Sequence, residues 1–158
     1  NLYFFDDCPK RVNYIKKLIK QQSSNIRGFI EINSDLTMKN GLSEWLQCNC
    51  HISLGPLGFT AWSTNGLSNK LVESWMLKIP MITQDNKVLD KYHDSCFIIK
   101  DKASGELANM LVKVIGDVRG NFAHNIEPVI NRGRCIYEKN HSVDAFKNKF
   151  EDILDVEL

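Results

Sequence analysis

The sequence predicts an α/β domain: a Rossmann-like, three-layer α/β/α arrangement with a mostly parallel sheet, extended by helices at the C-terminus. Three observations predict it. Short β-prone apolar runs alternate with amphipathic helical stretches. The connections between successive strand candidates are too long for tight hairpins, which points to parallel pairing with both faces covered. The tail, residues 126–154, reads as helices alone.

Residues 1–5 are apolar and aromatic and read as the first strand. Pro9 opens a helix in which Val12, Ile15, Leu18 and Ile19 recur at spacings of three and four. Residues 28–32 are a second strand, residues 42–46 a short helix and residues 51–54 a strand. Residues 55–69, dense in Gly, Pro, Ser, Thr and Asn, lead into a helix over 70–77 and directly into a strand over 79–83. A strand follows over 97–100. Ser104 then caps a helix to about Ile115, with Leu107, Met110, Leu111, Val114 and Ile115 on one face. In the tail, Ser142 caps the second of two helices. Trp45 and Trp75 fall at core spacings, whereas Trp62 in the loop fits stacking on a base or acceptor sugar as well as packing. No internal repeat or second-domain boundary is legible, so residues 1–158 read as a single domain. The chain starts at Asn1, not Met, and reads as part of something longer.

Composition narrows the function. A net charge of +1 argues against a general nucleic-acid binder, whose domain would be clearly basic. Lys16, Lys17 and Lys20 read as a solvated helix face. No apolar run approaches the roughly 18 residues of a membrane span. Five scattered cysteines, Cys8, Cys48, Cys50, Cys96 and Cys135, are no disulfide framework. On a strand, Cys48 and Cys50 would point away from His51, and no second ligand pair follows, so the thiols read as buried and free, in a reducing cytosol. His51, His93, His124 and His141 are scattered without metal-ligand spacing, and no metal site is expected.

Chemistry concentrates between residues 64 and 75, between a strand and its following helix, where open α/β sheets bind ligands. Gly66 lets a ligand approach the backbone. Ser68 or Asn69 caps the helix, leaving first-turn amides and the positive dipole end for an anion such as a diphosphate, and Lys70 adds a cation. Glu73, one turn further on, suits a diol, because a carboxylate accepts two hydroxyl hydrogen bonds at once. The plain alternative is a capped loop with a solvated Glu.

The run Asn65-Gly-Leu-Ser-Asn-Lys-Leu-Val-Glu-Ser-Trp-Met-Leu-Lys-Ile-Pro-Met-Ile-Thr83 resembles the donor-site motif of GT-B-fold glycosyltransferases. It is most similar to the large retaining group exemplified by glycogen and capsule synthases, which reads Glu, several residues with Gly and Pro, a Lys or Leu, then Glu-Ala-Met-Ala-x-Gly-x-Pro-Val-Ile. The motif's final Glu falls on Glu73 and its Pro on Pro80. Residues 2–20 resemble that family's first strand and helix, residues 97–116 a later strand and helix, and residues 130–154 its closing region. In that closing region Asn140-His141-Ser142 stands at a Tyr-Ser-Trp-like step. The resemblance implies the donor-binding, C-terminal half of a two-domain enzyme. Glu73 would hold the ribose of a nucleoside diphosphate sugar, with Asn65, Gly66, Leu67, Ser68 and Asn69 on sugar and phosphate and Arg11 or Lys70 on phosphate charge.

It further implies no cofactor and no metal, helix amides and basic side chains stabilising the leaving diphosphate. A glycan or lipid-linked acceptor would sit on a separate N-terminal domain. The location implied is cytoplasmic, at the inner face of a membrane through the rest of the protein. The sequence departs from the family at two points. Asn65 stands where the first motif Glu contacts sugar, and Phe5-Asp6 stands where a Gly-Arg binds phosphate.

Three other readings compete. A receiver-like phospho-acceptor domain is suggested by Asp6-Asp7, Thr83 and Lys100, but the strand over 51–54 ends in Gly-Pro without the accepting Asp. A sugar-nucleotide epimerase would keep the fold and change the chemistry. A non-catalytic, degenerate subunit would keep the fold for assembly, as the changes at Asn65 and Asp6 suggest.

Overall fold

The structure, a computed structural model, describes residues 1–5, 9–28, 30–33, 35–36, 39–55, 66–100 and 104–156. The chain is α/β, and every described strand pairing is parallel. It divides into two compact units, Asn1–Cys48 and Asn49–Leu158. The strands accordingly form two sheets where the sequence suggests one.

In the first unit, strand β1 (Leu2–Phe5) pairs with strand β2 (Ile30–Asn33), Leu2 opposite Ile30 and Phe5 opposite Asn33. Helix α1 (Pro9–Lys20) and the single turn α2 (Ser24–Arg27) make the crossover. Pro9 takes the first helical position, where its missing N–H costs nothing. Val12 is buried and Ile15 and Ile19 half-buried, but Leu18 is 40% exposed. At about 100° per residue, Ile19 lies roughly 20° from Val12 around the helix and Leu18 roughly 120°, so Leu18 leaves the apolar stripe. Gly41, with a φ of 99°, turns the chain into α3 (Leu42–Asn49). There Trp45 is half-buried, its ring edge-on to Tyr3 at 4.8 Å. Cys48 is exposed on this helix rather than on a strand, so the alternation argument for Cys48, Cys50 and His51 does not apply.

The second unit holds β3 (Ser53–Leu54), α4 (Asn69–Leu77), β4 (Met81–Gln84), β5 (Phe97–Ile99), α5 (Ser104–Gly120), α6 (Glu127–Asn140) and α7 (Val143–Val156). Two 3₁₀ turns, Leu89–Lys91 and His93–Ser95, precede β5, and a π turn, Phe122–Ile126, joins α5 to α6. The sheet order is β3-β4-β5, with Ser53 opposite Met81 and Ile82 opposite Phe97. All four residues of central β4 are buried, as expected of a parallel strand covered on both faces. Its neighbours in sequence serve different clusters. Met81 joins Leu71, Trp75, Leu89, Cys96 and Ile136, whereas Ile82 joins Ile99, Val114 and Ile126.

Leu107, Met110, Leu111 and Val114 face the Ile82 cluster as predicted. Val118, not Ile115, completes that stripe, and Ile115 is 40% exposed. Ile115 also keeps the spacing, four residues after Leu111, but at about 100° per residue it lies roughly 100° from buried Val114 and falls at the edge of the stripe, whereas Val118 lies roughly 40° from Val114. Ser142 caps α7 as expected, its hydroxyl oxygen accepting from the Ala145 N–H at 3.1 Å. Of the free thiols described, Cys96 is buried and Cys50 half-buried, while Cys135 is exposed like Cys48, against the expectation that all are buried. Asp6, Asp7, Cys8 and Trp62 lie outside the described residues. Among those described, no helix is long and apolar enough to cross a membrane.

Candidate functional site

The site is built from the carboxyl edge of the second unit's sheet. Gly55, just past β3, runs so close to β4 that a Cβ there would meet Thr83 Oγ1 at 2.7 Å and Met81 Sδ at 3.1 Å. Its N–H donates to the Ile82 carbonyl at 2.8 Å, continuing the ladder. Beyond β4, the Asn86 side chain accepts from the amides of Val88 (2.9 Å) and Leu89 (3.1 Å) and donates to the Gly66 carbonyl at 3.2 Å. The loop after β4 thereby fixes the chain that enters α4.

Ser68 is the N-cap of α4, with extended backbone (φ −73°, ψ 132°). Its carbonyl accepts from Leu71 (3.0 Å) and Val72 (3.3 Å), but its hydroxyl makes no cap hydrogen bond, unlike that of Ser142. The positive end of α4 is therefore not quenched by its own cap. Against this first turn lies an open cleft of about 440 Å³ lined by Leu67, Asn69, Val72, Glu73 and His141.

Trp75 builds the wall behind it. The indole is 2% exposed and donates from Nε1 to the Ser95 carbonyl at 3.1 Å. Tyr92 stands edge-on to it at 5.5 Å, and the His141 ring is tilted against it at 6.1 Å. On α6, a Cβ at Gly133 would overlap Trp75 Cδ1 and come within 2.8 Å of Nε1, so only glycine lets that helix approach. Arg134, the next residue, donates from Nη1 to the Met76 carbonyl at 2.8 Å near the end of α4, bonds Glu138 at 2.6 Å and lies over the Tyr137 ring. These contacts set α4 against α6 and bring the end of α6, where His141 sits, to the cleft.

No protein-family description, curated protein or solved structure matches the chain.

Of the residues expected at a donor site, Leu67, Asn69 and Glu73 line one cleft. Gly66 precedes it, anchored by Asn86, and Ser68 contributes backbone only. Lys70 is exposed on the first turn of α4 and does not line the cleft. Arg11 is an exposed residue of α1 in the first unit. Asn65 lies outside the described residues. His141, which spacing alone gives no role, is the addition. The signal available for it is its place in the Asn140-His141-Ser142 step between two helices, but nothing local pairs that step with residue 73.

The buried thiol behind this wall is inert. Desolvation pushes Cys96 up to about 12, with a smaller opposing effect from a hydrogen bond with Ser95. Among the described residues no group of three His, Cys, Asp or Glu side chains is arranged to hold a metal ion.

Proposed function

We propose that the chain is the nucleotide-sugar-binding half of a glycosyltransferase, a Rossmann-like three-layer domain that presents its donor to an acceptor held by a separate domain. One observation carries the reading. Two segments that separately resemble the family, the helix bearing Glu73 and the step bearing His141, line the same cleft although they are far apart in sequence. The assignment of Met81 and Ile82 to different apolar clusters supports the three-layer architecture. So does Lys78. It falls where the family pattern has glycine, and it holds a left-handed backbone (φ 58°), the conformation a glycine would adopt freely.

On this reading Glu73 accepts hydrogen bonds from the ribose diol, and the first turn of α4 faces the diphosphate through Asn69 and its amides. His141, held against Trp75, lines the same cleft and limits how the donor lies. Leu67 and Val72 supply apolar contact. As the diphosphate leaves, the helix amides would stabilise its added charge without a metal, Lys70 adding only a solvated cation outside the cleft.

The test is binding of UDP, GDP, dTDP and their common sugars, read by thermal shift and calorimetry. One nucleotide should raise the melting temperature of the wild type. Glu73→Ala should weaken it by about 10–100-fold, the equivalent of hydrogen bonds to a charged group. His141→Ala should alter the preference among sugars more than the affinity for the bare nucleotide. If no nucleotide binds the intact chain, the reading of this cleft is wrong, and a fold kept for assembly takes its place.

A further inference from the structure

Helix α7 packs against α6, yet Ala145 is its only buried residue among those described. Val143, Phe146, Phe150 and Ile153 stand 57–73% exposed, although residues of these kinds are ordinarily taken out of water on folding. They are spaced by three, four and three residues, which is the heptad spacing of a and d positions. At about 100° per residue the four fall within roughly 80° of arc. An arc that narrow is the seam of a helix pair, whereas a helix lying on a globular core presents at least about 100°.

The charges beside the seam specify what fits it. With Val143 at a, Lys147 takes the e position and Lys149 the g position, on opposite sides and each roughly 80° from the centre of the arc. Asp144, Glu151 and Asp152 lie roughly 120–140° from that centre, on the far side of the helix. Both lysines are exposed, and among the described residues neither pairs with an acid. Lys149 reaches only the Asn140 carbonyl, at 3.5 Å. The e and g residues of a helix pair choose the partner, so two lysines select acids. A second copy of α7 supplies none. Run antiparallel, it sets Lys147 and Lys149 against themselves, and run parallel it opposes them with Ser142 and Leu154. A lipid surface fits no better, because the side opposite the seam is acidic where a membrane-surface helix is basic.

We propose that this face of α7 docks an amphipathic helix of another protein, one that is apolar at its a and d positions and acidic at e and g. Phe146 and Phe150 are the anchors at the middle of the seam, and Lys147 and Lys149 meet the acids on either side. Because α7 is already folded against α6, only the incoming helix has to be ordered. The face shares no residue with the Glu73 cleft and does not depend on the donor reading.

The test uses two synthetic peptides of about three heptads, both with Leu at a and d, one with Glu and one with Lys at e and g. Binding to the intact chain is read by fluorescence anisotropy and calorimetry. The Glu-flanked peptide should bind at least about tenfold more tightly than the Lys-flanked one. Its advantage should shrink as NaCl rises from about 0.05 to 0.5 M. The double variant Lys147→Glu, Lys149→Glu should reverse the preference, and Phe146→Ser or Phe150→Ser should weaken binding at least about tenfold at an unchanged melting temperature. The proposal is overturned if neither peptide binds, if both bind equally, or if the preference survives the charge reversal. A large fall in the melting temperature of both Phe variants would also overturn it, by showing that the face is covered within the fold. So would a dimer of the intact chain in sedimentation, or its binding to phosphatidylserine vesicles, if Phe150→Ser abolished either, because the face would then belong to a second copy or to a membrane.

Discussion

Lys78 is the one described residue other than glycine with a positive φ. It closes α4 in a Schellman motif, with Ile79 N–H donating to the Ser74 carbonyl at 3.0 Å and Lys78 N–H towards Trp75 at 3.4 Å. A left-handed backbone costs a residue with a Cβ about 1–2 kcal/mol, while glycine loses up to about 1 kcal/mol more entropy on folding. The first effect wins narrowly, so Lys78→Gly should stabilise the protein by about 0.5–1 kcal/mol in urea unfolding. A destabilised variant would mean that the lysine side chain contributes something its exposure hides. Cys96 makes the contrasting case, because here burial rather than backbone decides. With its thiol raised to about 12, the folded state holds the proton that the unfolded chain releases near 9.0. That contribution is intact below pH 9 and is lost as the pH rises from there towards 12. At pH 8, native alkylation should therefore modify exposed Cys48 and Cys135 and spare Cys96 until denaturant is added.

Between elements, the α4–α6 contact does most to shape the candidate site. Glycine within a helix costs about 1 kcal/mol relative to alanine, so on propensity alone Gly133→Ala would stabilise α6. Trp75 reverses the sign. Its indole is fixed by the Ser95 carbonyl and cannot retreat from an added methyl group. Overpacking of this kind costs about 1–3 kcal/mol. Gly133→Ala should therefore lower the melting temperature by several degrees, at about 2–4 °C per kcal/mol. It should also weaken any ligand of the Glu73 cleft, because Trp75 supports His141. A more stable Gly133→Ala protein would show that the helices can part without cost. Periodicity reports less here than it does for α5. In α7, Val143, Phe146, Phe150 and Ile153 recur at the same three-and-four spacing, yet each is more than half exposed. An amphipathic pattern states that a face is apolar, and packing decides whether the described chain covers it.

At the scale of the whole molecule, both large apolar clusters and the Glu73 cleft belong to the second unit. A fragment of residues 49–158 should consequently fold cooperatively and retain the ligand responses of the intact chain, as circular dichroism and thermal shift would report. A molten or insoluble fragment would show that the first unit is required for that core. Much of the architecture is legible in the sequence. The alternation of elements, parallel pairing and the Ser142 cap follow from local pattern; of Ser68 and Asn69, the two candidates to cap α4, Ser68 takes the N-cap place without a side-chain cap bond. The first three rest on backbone conformation and side-chain period, which short stretches of chain set for themselves. The division of strands into two sheets, the glycine contact on Trp75, the arrival of His141 beside Glu73 and the exposure of the apolar seam of α7 were decided only in three dimensions. Each depends on which surfaces meet across long stretches of chain, where volume, burial and hydrogen-bond accounting replace local preference.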